Sequence, residues 1–103
     1  MLVEIRHYRL EPGRRAEFVE WFESAVVPEM ERHGMRILGT FEPVDDPDAF
    51  VYLRGFRDEE ERRRQTGAFY EGEAWLGGLR DRALELETGF DVLVVRSTPG
   101  SRL

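Results

Sequence analysis

In four short stretches of this chain, aliphatic side chains alternate with polar or aromatic ones, a pattern that is typical of β-strands. Successive residues of a strand point to opposite faces of a sheet, so an alternation over residues 2–10 predicts a first strand. Similar patterns predict strands at residues 35–43, 50–56 and 91–96. The last strand is followed by a polar tail, which we expect to fray.

Apolar residues at three- and four-residue spacing predict the first helix, which follows a break at Pro12 and Gly13. Its apolar stripe consists of Phe18, Trp21, Phe22, Ala25 and Val26. Pro28 has no amide hydrogen to donate inside a helix, so we expect the helix to kink or restart there and to continue to His33. Gly34 is then the helix cap.

A second helical region is predicted from about Asp58, because Glu61 follows three residues later and the two make a capping pair. The charged residues of the segment 59–64 are typical of a solvated helix face. Four glycines interrupt the following residues. We therefore expect two or three short helices between residues 58 and 88.

The order strand, helix, strand, strand, helix, strand predicts an α+β fold of the ferredoxin-like, split βαβ type. Its four-stranded antiparallel sheet carries the helices on one face only. A chain of 103 residues is the size of one domain. We expect that domain to span residues 1–97, with residues 98–103 as a C-terminal tail.

One face of the predicted sheet mixes aromatic and charged side chains. Its members are Glu4, Arg6, Tyr8, Phe50, Tyr52, Arg54 and Phe56. The aliphatic residues between them, together with His7, point to the opposite face of the sheet. We expect the helices to cover this second, aliphatic face. The mixed face then needs another cover, since a large apolar patch is rarely left in water. We expect a second copy of the chain, so that a homodimer encloses a polar and aromatic chamber between two sheets.

Charge and composition exclude several classes of protein. The chain carries 21 acidic and 15 basic residues, for a net charge of −6, which argues against nucleic acid as a partner. It contains no cysteine, so disulfides, a thiolate nucleophile and a cysteine zinc site are excluded, and a cytoplasmic location is expected. No apolar segment approaches the roughly 20 residues that a membrane span requires, so no membrane partner is expected.

Arg6 and Arg54 are the first candidates for chemistry. They lie on neighbouring strands and share a face, so together they could bind an anion or stabilise negative charge in a transition state. The alternative is that Glu4 pairs with one of them in a salt bridge at the dimer interface. The two interpretations are compatible.

Aromatic residues of the mixed face suggest a flat ligand. Tyr8 and Tyr52 could donate protons or orient a substrate, although aromatic residues at protein contacts also simply pack. Phe50 and Phe56 flank them and favour a conjugated molecule. Trp75 is first a core residue, and it could also close one end of the chamber.

Neither histidine is a strong catalytic candidate. His7 has the parity of the face assigned to the helices and is expected in the core or at an edge, while His33 is explained by its position at a helix end. Neither has a partner at the spacing of metal ligands, so no metal and no cofactor are expected.

The residues also resemble a known family. Residues 4–13 read E-I-R-H-Y-R-L-E-P-G, similar to the E-L-R-x-Y-x-L-x-P-G opening of NIPSNAP-domain proteins. Residues 50–56 and 68–75 resemble the F-V-W-L-R-G-F and F-Y-x-G-P-x-W segments of a bacterial NIPSNAP-like subset. The resemblance extends over residues 3–96. It implies a dimeric α/β barrel of the ferredoxin-like superfamily, whose members include cofactor-free monooxygenases, isomerases and cyclases.

Two functions follow from these observations. In the first, the chamber binds a small anionic or aromatic metabolite, with or without catalysis, through Arg6, Tyr8, Tyr52 and Arg54, supported by Glu4, Phe50, Phe56 and Trp75. In the second, the protein is a non-catalytic dimeric interaction module. A cavity of a few hundred Å³ that opens beside Arg54 favours the first, and a solidly packed interior favours the second.

Overall fold

The structure, a computed structural model, describes all 103 residues. The chain forms four strands, four α-helices, one π-helical turn and one kinked helical segment. Their bounds are β1 Leu2–Leu10, α1 Arg15–Trp21, the π-turn Phe22–Val26, α2 Val27–Arg32, β2 Arg36–Phe41, β3 Ala49–Phe56, α3 Glu59–Tyr70, the segment Trp75–Leu79 with its kink at Gly78, α4 Arg80–Leu86 and β4 Glu87–Arg96.

The strands form one antiparallel sheet in the order β2-β3-β1-β4, with the helices on one face. This is the ferredoxin-like architecture that the order of elements predicts. In the central pair of strands, Glu4 lies opposite Arg54 and Arg6 opposite Tyr52. The register therefore brings the polar residues of the two strands together on the same face.

The π-helical turn that ends at Val26 leads directly into α2, and Pro28 lies in the first turn of α2, as predicted. The backbone stays helical through Val26 and Val27, so the helix changes type before Pro28 without a break. His33 caps the helix, and Gly34 follows with a φ of 89°, a left-handed conformation that favours glycine.

The predicted capping pair begins α3. The Glu61 amide donates to the Asp58 side chain at 2.9 Å, and the Glu61 carboxylate accepts from the Arg57 amide at 3.2 Å. The region that follows is divided, as expected, by a break after Tyr70. The fourth strand is longer than predicted, because it begins at Glu87 rather than at residue 91.

The assignment of the two sheet faces was wrong. The helices cover the mixed face, and all seven of its residues are buried within one chain. The Phe22 ring lies 4.6 Å from that of Tyr52, and the Phe18 ring lies 6.1 Å from that of Tyr8. The physical reason is that the aromatic stripe of the first helical region packs best on the large rings of the sheet, which bury more area than the aliphatic residues.

The aliphatic face is the one without helices. Register places Ile5 beside Leu53 on β3 and Leu93 on β4, and Leu93 is 60% exposed. His7 also lies on this open face, between Val51 and Asp91, so its predicted position in a helix-covered core was wrong as well. No helix has both the length and the apolar character that a bilayer span requires.

Candidate ligand-binding cavity

A cavity of about 330 Å³ lies between the mixed face of the sheet and the helices. Of the 14 residues that line it, 11 are hydrophobic. Its aromatic wall consists of Tyr8, Trp21, Phe22, Tyr52, Tyr70, Trp75 and Phe90. An apolar cavity with a few polar groups is typical of small-molecule sites, and this volume is at the lower end of their range of roughly 300–1,000 Å³.

Aromatic pairs hold the walls of the cavity in place. Tyr8 and Tyr52 lie on neighbouring strands with their rings stacked at 5.7 Å. In the helical region, Tyr70 ends α3 and Trp75 begins the next turn, and their rings meet edge to face at 5.1 Å. Because rings in such contacts have few alternative rotamers, the space between them is preformed.

A buried cluster of charged residues lies at the base of the cavity, around Glu4. Its carboxylate accepts hydrogen bonds from Arg6 Nη1 at 2.6 Å, Arg54 Nε at 2.8 Å and Arg62 Nε at 2.6 Å. Burial by itself would raise the pKa of Glu4, but the charge of Arg54 and the hydrogen bonds from Arg62 and Arg6 hold it below its ordinary value. The predicted pairing of Glu4 with arginine is confirmed, but inside one chain rather than at an interface.

Arg6 connects this cluster to the cavity. Its Nε donates to the Tyr8 hydroxyl at 2.9 Å, and its guanidinium carbon lies 5.3 Å from the centre of the Phe90 ring. The remaining nitrogen, Nη2, donates to no acceptor of the chain, although Arg6 lines the cavity. One end of a planar, permanently charged donor is therefore available to a bound anion.

Arg54 lies beneath the cavity and is buried. Its Nη1 donates to the hydroxyls of Tyr70 at 3.1 Å and Tyr52 at 3.3 Å. Burial raises the pKa of Tyr52 and of Tyr8, so both hydroxyls stay protonated at neutral pH. Arg54 thus orients the tyrosines, and it does not itself line the cavity.

Two charged residues of the cavity were not singled out by the sequence. Glu87 lines it at the start of β4, and burial raises the pKa of its carboxylate to about 7, against the opposing charge of Arg6. Arg80 is exposed at the beginning of α4, and no acidic side chain pairs with it. Only the longer fourth strand and its register with β1 identify Glu87, so no local sequence signal could have found it.

The eight predicted site residues separate into three places. Arg6, Tyr8, Tyr52 and Trp75 line the cavity. Glu4 and Arg54 lie beneath it in the charged cluster, whereas Phe50 and Phe56 belong to the hydrophobic core. The Phe50 ring contacts those of Phe18 and Phe22 at 5.2 and 5.1 Å. The chamber is therefore enclosed by the sheet and helices of one chain rather than by two sheets.

The histidines lie outside the cavity. His33 is near Glu29, with 3.3 Å between the ring nitrogen and the carboxylate, and His7 lies 3.9 Å from Asp91. No three His, Cys, Asp or Glu side chains come together in an arrangement that could hold a metal ion.

Comparisons with known proteins agree on the family and the fold. The model of the NIPSNAP family matches residues 3–88. A NIPSNAP family protein of unknown function from Agrobacterium tumefaciens superposes with a TM-score of 0.89 at 21% identity, over 100% of this chain and 93% of that one. An uncharacterized NIPSNAP domain protein from Burkholderia xenovorans gives 0.89 at 18% identity, over 98% of both chains.

The same architecture occurs outside that family. An antibiotic biosynthesis monooxygenase superposes with a TM-score of 0.69 at 16% identity, over 96% of this chain and 100% of that one. At such low identity the similarity shows the shared ferredoxin-like fold alone. No curated protein sequence matches the chain.

Proposed function

The chain belongs to the NIPSNAP family, and on that premise we propose that it binds a small, flat, anionic aromatic metabolite in the cavity between its sheet and helices. The observation that carries the proposal is that Arg6 lines an aromatic cavity of about 330 Å³ while its Nη2 donates to no acceptor of the chain. An interaction module would need no such preformed space. The cavity therefore favours ligand binding over a purely structural role.

Charge supports an anionic ligand. Arg6 and Arg54 are both buried and donate to the same carboxylate oxygen of Glu4, while Arg62 has a second acidic partner in Glu59. The base of the cavity thus holds more positive than negative charge. In a partly dry site a carboxylate that accepts from Arg6 gains more from this excess than it would in water.

Shape supports an aromatic ligand. Tyr8 and Tyr52 contribute stacked rings to the cavity wall from the sheet, and Tyr70 and Trp75 contribute theirs from the helical region. A flat ring between them buries its apolar area without disturbing rotamers that are already fixed. The protonated tyrosine hydroxyls are the acids that a cofactor-free reaction of such a ligand would use.

We also propose that the protein is a homodimer through the open aliphatic face of the sheet, defined by Val3, Ile5, Val51, Leu53, Leu93 and Val95. These residues share one face by register, and a second copy supplies a matching aliphatic surface. The dimer expected from the sequence thus uses the opposite face from the one first assigned.

Thermal unfolding with sodium cinnamate, a small aromatic carboxylate, tests the binding proposal. Near 100 times its Kd a ligand stabilises a protein by about 2.7 kcal/mol, which raises the melting temperature of a chain of this size by roughly 10 °C or more. Arg6→Gln should abolish most of that rise. The variant should still fold, because Arg54 and Arg62 continue to neutralise Glu4.

Arg9→Gln is the matched control. Arg9 is on the same strand, is exposed and pairs with Asp91 outside the cavity, so this variant should keep the full response to cinnamate. No stabilisation of the unaltered protein by cinnamate, or an equal response in the Arg6 variant, would contradict the proposal.

A further inference from the structure

We propose that the cavity selects aromatic acids that carry a hydroxyl group at the end opposite the acid, and that Glu87 is the residue that recognises this hydroxyl. The inference rests on the proposed binding of an aromatic anion at Arg6. It adds a second polar contact, on the far side of the ring, and thereby names the class of ligand.

A β-bulge directs Glu87 into the cavity. From Leu2 to Arg9, β1 pairs with β4 residue by residue, ending with Arg9 opposite Gly89. Leu10 then lies opposite Glu87, so Thr88 is the extra residue. Without the bulge Glu87 would have the parity of Gly89 and point to the open face. With it, Glu87 shares the helix-covered face, and bulges commonly re-aim a side chain at a functional site.

The Glu87 carboxylate has no partner within the chain. It makes no hydrogen bond and no ion pair, although it is half-buried beside Ala83, Leu84 and Phe90, which line the cavity with it. Because the residue is only half-buried, its oxygens remain in contact with solvent in the free protein. A hydroxyl donor on a bound ligand would take the place of that water.

The spacing fits one aromatic ligand. Leu10, the partner of Glu87, lies four positions after Arg6 on β1, which places the two backbone positions about 13 Å apart along the strand. Tyr8 and Phe90 lie between these positions, with ring centres 5.6 Å apart, and the Arg6 guanidinium carbon is 5.3 Å from the Phe90 ring centre. A ligand whose acid group accepts from Arg6 therefore has its ring beside Phe90, and Glu87 follows on the same face of β4.

Glu87 is the only acidic residue that lines the cavity. The charged and titratable groups that share the space are Arg6 and Tyr8 from β1, Tyr52 from β3, Tyr70 from α3 and Arg80 from α4. Burial raises the pKa of Glu87 to about 7, against the lowering effect of Arg6. Above that pH the ionised carboxylate accepts a strong, charge-assisted hydrogen bond, and below it the contact weakens.

Isothermal titration calorimetry with cinnamate and 4-hydroxycinnamate tests the inference. In the unaltered protein at about pH 8, the hydroxyl should improve the Kd by roughly tenfold, as a hydrogen bond to a charged group does. At about pH 5.5 the improvement should fall to roughly threefold or less, because Glu87 is then protonated. The ratio of the two Kd values cancels effects that pH has on the shared acid group.

Glu87→Gln should show the smaller improvement at both pH values. Glu60→Gln is the control, because Glu60 is an exposed carboxylate on α3 that does not line the cavity, and it should behave as the unaltered protein does. Equal Kd values for the two acids, or a ratio of these Kd values that does not change with pH in the unaltered protein, would overturn the role of Glu87. The binding proposal would still stand. If neither acid binds, both proposals fail.

Discussion

At the scale of single residues, burial decides the chemistry of the charged groups. Glu4 is buried and ionised because Arg6, Arg54 and Arg62 all donate to it. Glu87 is half-buried and has no such donor, so the pKa of its carboxylate rises to about 7. One acid therefore stabilises the site's geometry, and the other is free to respond to a ligand and to pH.

The shifted pKa of Glu87 predicts a pH dependence of stability. Its pKa is about 7 in the folded protein and near the ordinary 4.5 in the unfolded chain. The folded state thus binds more protons, and stability is lost as pH rises from the lower value to the higher. Because Glu87 is partly exposed, solvent screening reduces the effect of the pKa shift. The expected loss in the free energy of unfolding is about 2 kcal/mol.

Glu87→Gln should remove this loss. The variant should be more stable than the unaltered protein by about 2 kcal/mol at about pH 8, and the difference should vanish near pH 4. Urea unfolding at both pH values measures it. Glu60→Gln should change stability by less than about 0.5 kcal/mol at either pH. If Glu87→Gln changed the free energy of unfolding by the same amount at both pH values, the raised pKa of Glu87 would be contradicted.

At the scale of elements, backbone requirements place the helix ends. Gly34 follows the cap of α2 and has a left-handed backbone conformation. A Cβ added at Gly34 would also lie 2.9 Å from the Gln65 side-chain nitrogen. Gly67 is different, because it lies within α3 and an added Cβ would meet nothing within 4 Å. The two glycines should therefore respond to the same substitution with opposite signs.

Gly34→Ala should destabilise the protein by about 1–2 kcal/mol, the cost of a left-handed conformation for a residue with a Cβ. Gly67→Ala should stabilise it by about 0.5–1 kcal/mol, since alanine loses less backbone freedom in a helix. Chemical denaturation of both variants measures the two changes. A gain at Gly34 would show that the turn after α2 does not need glycine.

At the scale of the whole molecule, the sheet has two faces with different tasks. The mixed face packs on the helices and encloses the cavity. The open aliphatic face has no helix over it. Val3 is buried and the C-terminal tail lies beside part of this face, whereas Leu93 on β4 is 60% exposed. A chain of this size gains stability by burying such a surface against a second copy.

Leu93→Arg should disrupt the proposed dimer, because it would bury an unpaired charge at the interface. A cost of about 3 kcal/mol weakens association by more than 100-fold. Size-exclusion chromatography with light scattering should then show a monomer. Val44→Arg is the control, since Val44 is 98% exposed in the loop before β3 and should leave the dimer intact. An unaltered protein that is monomeric at micromolar concentration would contradict the dimer.

Local patterns in the sequence were enough to predict the order of elements, the antiparallel ferredoxin-like sheet, Pro28 in the first turn of a helix, the capped start of α3 and the family. These features depend on local rules: alternation in strands, spacing in helices, and the backbone limits of proline and glycine. The parity of Arg6, Tyr8, Tyr52 and Arg54 was also predicted correctly. Parity shows which side chains share a face, because it depends only on the pleat of the strand.

The face that the helices cover, and with it the position of the cavity inside one chain, follows from packing between distant elements. That choice depends on how the ring stripe of the first helix packs against the rings of the sheet, a contact between residues distant in sequence. The bulge that turns Glu87 inward is likewise a property of the pairing of β1 with β4. Alternation within one strand carries no information about its partner, so these features had to come from packing.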